Sequence, residues 1–142
     1  MPQINWKHVL LGGLLAGLVL NLFGMGAAHL FLAEQIHSLH QRLQLDQDRS
    51  FPMDFLKHLG LRFALGLILI WLYAAIRPRF GPGPRTAAIA GVAVWLLAYG
   101  LFLSAMVFLR LLSDQIALAA FAWGFLETQA ASLAGAWLYR EP

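Results

Sequence analysis

The sequence predicts an all-α polytopic membrane protein: a single domain, residues 1–142, with four transmembrane helices in an up-down bundle. Its composition is the first reason, because 60% of the 142 residues are apolar and only 12% are charged. Soluble domains have about 45–50% apolar residues and about 25% charged residues. The second reason is four apolar runs that approach or exceed the roughly 20 residues a membrane-spanning helix needs. These runs are Val9–Leu32, Phe55–Ile76, Ala87–Leu109 and Ile116–Tyr139. Each is predicted to be helical because backbone polar groups in lipid must be satisfied within the segment.

Composition also limits the classes of function. The chain has no cysteine, which excludes disulfides, thiolate metal ligands and cysteine nucleophiles. It shows no nucleophile–base pattern and no phosphate-binding glycine loop with its lysine, so we predict that the protein is not an enzyme. The net charge of +3 does not indicate nucleic-acid binding, because the basic residues flank the apolar runs, as membrane topology requires.

The segment after the first run has a pattern of its own. Residues 33–45 place Ile36, Leu39 and Leu43 on one helical face, which predicts a short amphipathic helix on the external membrane surface. A plain continuation of the first helix into solvent is the alternative. Gly26-Ala27-Ala28 resembles a signal-peptide cleavage site, but the run is longer than the ~7–15 residues of a signal-peptide core. We therefore expect the first helix to be retained.

The arginines predict how the bundle is oriented. The loop Arg77–Arg85 holds three arginines and no acid, whereas the other two loops mix both signs. Positive charge marks the cytoplasmic side, so both termini should be cytoplasmic in a bacterial inner membrane, in agreement with Lys7 and Arg140. Pro78 is expected to end helix 2 and Pro84 to begin helix 3, which makes these helices antiparallel neighbours. The same side carries a predicted belt of interfacial aromatic residues: Trp6, Trp71, Tyr73, Trp137 and Tyr139.

Two stretches carry a family resemblance. They are Trp71–Gly83 and Ala134–Tyr139, and the Gly12–Asn21 part of helix 1 agrees with them. On these motifs the chain resembles an uncharacterised family of small bacterial four-helix integral membrane proteins. The resemblance covers most of the chain and rests on topological motifs. It implies a membrane location and four spans, and it implies no particular activity.

A carboxylate interrupts the last apolar run. Glu127 lies near the centre of that run, hence near the bilayer midplane, where a charge costs at least ~2.5 kcal/mol and needs a partner. Asn21, at matching depth in helix 1, is predicted to donate a hydrogen bond to it, and Thr128 adjoins it. Arg62 lies within side-chain reach as a counter-charge, although it can instead snorkel outward to the interface. This polar group is either structural glue or a proton or ligand site.

Small residues form stripes on helices 1 and 4. Positions three or four apart share a helix face, and faces of small residues let membrane helices approach closely. We therefore predict that helix 1 packs on helix 4 through its glycines. The glycines concerned are Gly13, Gly17 and Gly24 in helix 1, and Gly124 and Gly135 in helix 4.

Histidines gather at the predicted external face. His29 and His58 lie at similar depths on neighbouring helices, and two such side chains can ligate haem or a chlorin. His37 and His40 can contribute to a metal site in the same region. No metal-binding motif of known spacing is present, so the leading expectation is that the protein carries no cofactor.

These observations leave three functional hypotheses open. The first is a non-enzymatic accessory or structural subunit of a larger membrane complex, whose partners are the lipid bilayer and other membrane protein subunits or further copies of itself. The second is an oligomeric proton-coupled transporter or channel that uses Glu127. The third is a haem- or chlorin-binding membrane subunit that uses His29 and His58.

Overall fold

The structure is a computed structural model that describes residues 4–27, 30, 34, 37, 38, 41 and 51–139, with only the backbone for 51 and 52. These residues form four helices long and apolar enough to cross a membrane. The predicted fold class is thereby confirmed. Most of the predicted amphipathic segment, residues 33–45, lies outside the described residues. The helices are α1 (Trp6–Ala27), α2 (Phe51–Phe80), α3 (Pro84–Phe108) and α4 (Asp114–Leu138).

The connection between α2 and α3 differs from its prediction in one respect. Pro78 does not end α2, which continues through it to Phe80. A proline this close to a helix end removes a single backbone hydrogen bond, so the last turn survives. The chain reverses instead at Gly81 and Gly83, whose φ angles of 82° and 129° suit glycine because it has no Cβ. Pro84 opens α3, as predicted.

Helix α1 packs most closely on α2 through glycine. Gly66 of α2 lies against α1 so closely that a Cβ atom on it would approach the carbonyl oxygen of Gly13 to 2.6 Å and Cα of Gly17 to 2.8 Å. The prediction that Gly13 and Gly17 face helix 4 is therefore wrong. Gly12, one position earlier, makes that contact, since a Cβ there would lie 2.6 Å from the carbonyl oxygen of Gly135. Helix α1 thus has two adjacent glycine faces, one for α2 and one for α4.

The order of contacts along the helices establishes an up-down arrangement. Along α1, Gly12 meets the C-terminal end of α4 at Gly135, whereas Phe23 contacts Trp123 nearer its start. Helices α1 and α4 are therefore antiparallel. Between α3 and α4, Ser132 contacts Ala87 near the start of α3, and Phe121 contacts Trp95 further along. These two helices are antiparallel as well.

Helix α3 contains a local change of winding. Residues Leu96–Leu101 form a π-helical segment between two α-helical stretches. Its wider turn carries one extra residue and changes the direction in which the following side chains point. Ser104 Oγ donates a hydrogen bond to the carbonyl oxygen of Gly100 at 2.7 Å just beyond this segment. Tyr99, within it, is directed toward α4.

Two tyrosines close the end of the bundle that carries the arginine-rich loop. The rings of Tyr73 and Tyr139 are buried and meet edge to face, 5.8 Å apart. The hydroxyl of Tyr139 accepts a hydrogen bond from the backbone N–H of Asn5 at 3.3 Å, and that of Tyr73 accepts one from Gly83 at 3.3 Å. Their assignment to the interfacial belt is therefore wrong. Only the tryptophans of that set are exposed: Trp6, Trp71 and Trp137.

Candidate functional site

Glu127 is the most deeply buried charged group among the described residues. It lies near the middle of α4, and its side chain is only 1% exposed. An ionised carboxylate in such surroundings requires an opposite charge and hydrogen-bond donors. Two other helices supply them, so the surroundings of Glu127 link α4 to the rest of the bundle.

Arg62 provides the opposite charge from α2. Its Nη1 atom donates to Glu127 Oε1 in an ion pair, and also to the backbone carbonyl oxygen of Leu20 in α1. The Arg62 side chain is 16% exposed, so it points into the bundle and does not snorkel outward. Gly24 makes this path possible, because a Cβ atom at that position would collide with the guanidinium group. Gly24 therefore faces α2 and not α4, contrary to the prediction.

Tyr99 supplies a second donor from α3. Its hydroxyl donates to Glu127 Oε1 at 2.8 Å. Gly124 makes room for the ring, since a Cβ atom there would lie 2.6 Å from Tyr99 Cγ. Gly124 therefore serves α3 and not α1, contrary to the prediction. Tyr99 was not among the predicted site residues, although one signal was available: the other two tyrosines lie near the ends of apolar runs, whereas Tyr99 lies inside one.

His58 extends the group toward the surface. It lies one turn before Arg62 on α2 and is exposed, and its Nε2 atom accepts a hydrogen bond from Arg62 Nε at 2.9 Å. His58, Arg62, Glu127 and Tyr99 thus form a continuous chain of hydrogen bonds that involves three helices. We call these four residues the polar cluster.

Two residues predicted to join Glu127 bond to their own helices instead. Asn21 Nδ2 donates to the carbonyl oxygen of Gly17 at 2.8 Å, so the predicted hydrogen bond from Asn21 to Glu127 is wrong. Thr128 Oγ1 donates to the carbonyl oxygen of Gly124 at 2.8 Å. Both side chains are buried, and a bond to the preceding turn satisfies their polar groups without a partner from another helix.

Polar links between helices also occur outside the cluster. Trp123 Nε1 donates to the carbonyl oxygen of Phe23 at 3.1 Å, which joins α4 to α1. Ser132 Oγ donates to the carbonyl oxygen of Ala87 at 2.6 Å, which joins α4 to α3. Neither bond was predicted from the sequence. Hydrogen bonds of this kind strengthen helix association in membranes, where packing gains little from the hydrophobic effect.

Only two of the four histidines proposed as cofactor or metal ligands, His37 and His58, lie among the described residues. His58 uses Nε2 as an acceptor for Arg62, so that nitrogen is not free to ligate iron or magnesium in this arrangement. His37 is exposed, and His29 and His40 lie outside the described residues. Across the described residues, no three histidine or acidic side chains group closely enough to hold a metal ion.

The chemistry of arginine determines what the polar cluster can do. A guanidinium group carries five donors and does not lose its proton in proteins. Since Arg62 separates His58 from Glu127, it interrupts proton transfer between them and maintains a fixed positive charge beside the carboxylate. The cluster is therefore suited to hold charge in place, with two side chains from α2, one each from α3 and α4, and a bond to a backbone carbonyl of α1.

Replacing Tyr99 with phenylalanine tests the contribution of the third helix. We expect Tyr99→Phe to lower the free energy of unfolding by about 1.5–3 kcal/mol, because it removes a hydrogen bond to a charged group. Ser104→Ala is the matched control, since the Ser104 hydroxyl is exposed and bonds only within α3. Unfolding in mixed micelles measures both variants. Equal effects of the two substitutions would contradict the role assigned to Tyr99.

Comparison of the chain with protein-family models, with curated proteins and with solved structures gives no match. The resemblance to small four-helix bacterial membrane proteins therefore stays a prediction. What bears on function is the geometry of the polar cluster and of the surfaces around it.

Proposed function

We propose that this protein is a non-enzymatic structural or accessory subunit of a membrane complex, and that its polar cluster stabilises the bundle internally. The observation that supports this function is that two donors from its own chain converge on one oxygen of the buried Glu127 carboxylate. Arg62 and Tyr99 both donate to Oε1, and Arg62 also bonds to α1. A carboxylate held in this way contributes to the arrangement of the helices.

The same geometry disfavours the transport hypothesis. A proton carrier has to exchange its proton with water on at least one side. Glu127 is 1% exposed, and the neighbouring group toward the exposed His58 is Arg62, which does not release a proton. If the protein transports protons, Glu127→Gln should abolish proton flux in vesicles and leave the fold intact. The structural role predicts the reverse, a destabilised bundle.

The outer faces of α2 and α3 are the surfaces we propose for contact with partner subunits. In the most apolar 18-residue stretch of each helix, 28% of residues are buried in α2 and 17% in α3, against 44% in α1. Large apolar side chains such as Leu61 on α2 and Phe102 on α3 are exposed. These faces are available to other membrane helices, to a second copy of the chain or to lipid.

A photo-reactive residue placed on these faces tests the proposed function. We expect cross-links to one defined membrane protein, or to a second copy, from Leu61 or Phe102. The matched control is Leu18, which is exposed on α1 and should give only lipid adducts. Recovery of the same partner in stoichiometric amount after mild detergent extraction should accompany the cross-links. A chain that purifies alone and gives only lipid adducts at all three positions would overturn the proposal.

We further propose that the protein lies in a bacterial inner membrane with both termini in the cytoplasm. The support is the three-arginine loop between α2 and α3, on the same end of the bundle as the start of α1 and the end of α4. Reporter fusions after Pro142 and within the α1–α2 connection at Gln47 are expected to indicate opposite compartments, the latter external. The same compartment for both fusions would contradict this topology.

A further inference from the structure

A groove runs between α3 and α4 along the π-helical segment and the α-helical stretch that follows it. It has a volume of about 690 Å³. Its floor includes the buried side chains of Leu103 and Ala117, and its walls include Leu101, Phe108 and Leu118, which stand exposed on either side. The lining is almost entirely apolar, so the groove is suited to a hydrocarbon chain.

The length of the groove matches one leaflet of a bilayer. Its lining on α3 extends from Leu96 to Phe108, which corresponds to roughly 18 Å at 1.5 Å per residue. The hydrocarbon core of a membrane is ~30 Å thick, so the groove covers little more than half of it. The groove is open to the surroundings along this length, so the acyl chain of a lipid in one leaflet can lie in it.

One charged residue lines the end of the groove, and a residue of opposite charge lies in the turn that joins α3 to α4 at that end. Asp114, which opens α4, is exposed and belongs to the lining. Arg110 is exposed in the turn just before it and has a φ angle of 57°. Neither forms an ion pair with another described residue. A zwitterionic headgroup complements this pair, with its phosphate beside Arg110 and its ammonium beside Asp114.

From this groove and its charged end we infer a specific phospholipid site. The ligand is a phospholipid with an amine-bearing zwitterionic headgroup, whose acyl chain lies between α3 and α4. This inference is independent of the proposed function, because it concerns the isolated chain and not its partner subunits.

Native mass spectrometry of the purified protein tests the site with two lipids. We expect phosphatidylethanolamine to bind in one copy, with a roughly five-fold preference over phosphatidylglycerol, the effect of one interfacial ion pair. Asp114→Asn should remove this preference, because the ammonium group of phosphatidylethanolamine then has no carboxylate to pair with. Arg110→Gln should weaken both lipids to a similar extent, because both have a phosphate. Equal binding of the two lipids by the unmodified chain would overturn the inference.

Filling the groove provides the second test. A Cβ atom at Gly100 would meet its nearest neighbour, Phe121, at an ordinary 3.5 Å, so Gly100→Leu is tolerated by the backbone and places its side chain toward the groove. Ser104→Leu is a second filling variant at a lining position. Gly60→Leu is the control, because nothing lies within 4 Å of a Cβ atom there. If a filling variant has the same melting temperature as the control and no longer binds lipid, the site is supported. If both filling variants still bind lipid, the inference is overturned.

Discussion

Replacing Arg62 with methionine is expected to lower the free energy of unfolding by about 3–5 kcal/mol, because the change leaves Glu127 buried without its counter-charge. Glu127→Gln should also destabilise the bundle, because it leaves the guanidinium group without a negative partner. The double variant should be more stable than the sum of the two effects predicts, since it buries neither charge alone. Unfolding in mixed micelles of all four proteins measures the coupling energy of the pair.

A second ion pair on the same helix is the matched control. Lys57 and Asp54 lie 3.4 Å apart near the start of α2, and both side chains are about half exposed. Removing this pair should reveal a coupling of only about 0.3–0.5 kcal/mol, the usual value for exposed pairs on one helix turn. Additive effects for Arg62 and Glu127, with no more coupling than in the control, would show that the buried pair does not hold the bundle together.

The second large effect is expected at the contact between α1 and α2. Gly66→Leu should destabilise the bundle by at least about 3 kcal/mol, because overpacking against a rigid neighbour forces the backbones apart. The obstruction is the backbone of α1 at Gly13 and Gly17, which no change of rotamer relieves.

Gly60 provides the matched control on α2. Open space surrounds the position of its Cβ atom, so Gly60→Leu should not lower the free energy of unfolding and should raise it by up to about 1 kcal/mol, because leucine favours a helix more than glycine does. Thermal melting in detergent compares the two variants directly. If Gly66→Leu melts like Gly60→Leu, the two helices are not in the close contact that the structure describes.

Residue chemistry and spacing were enough to locate the features that need explanation. The charge of Glu127 inside an apolar run required a partner, and Arg62 was one of two candidates considered. The sequence also indicated that small residues on α1 bring another helix close. In both cases the sequence showed that a contact between helices is needed. It did not show which helix makes the contact, because a helical pattern identifies a face and not the neighbour of that face.

The errors have a common physical origin. Gly12 and Gly13 are adjacent in the sequence and face different helices, and either could have been assigned to α4. In a soluble protein the apolar side of each helix would indicate the core. Lipid chains are as apolar as leucine, so the outer and inner faces of these helices carry similar residues. The pattern therefore could not show that Gly66, which the sequence analysis did not select, forms the closest contact.

Tyr99 shows a limit of the sequence pattern, which marks it as a polar group inside an apolar run and does not give its direction or its partner. Regular α-helical geometry from Ala87 onward does not anticipate the π-helical turn that directs this side chain to Glu127. Asn21, a more obvious donor at the same depth, bonds to its own helix.

The sequence by itself determined the four membrane spans and the need for a partner at Glu127, because hydropathy and the cost of a buried charge are properties of residues and of short segments. Only the tertiary structure decided that Arg62 and Tyr99 are the partners and that α1 uses separate glycine faces for α2 and α4. Those outcomes depend on how four helices of similar polarity rotate and approach one another. That rotation is governed by packing and interhelical hydrogen bonds rather than by hydropathy.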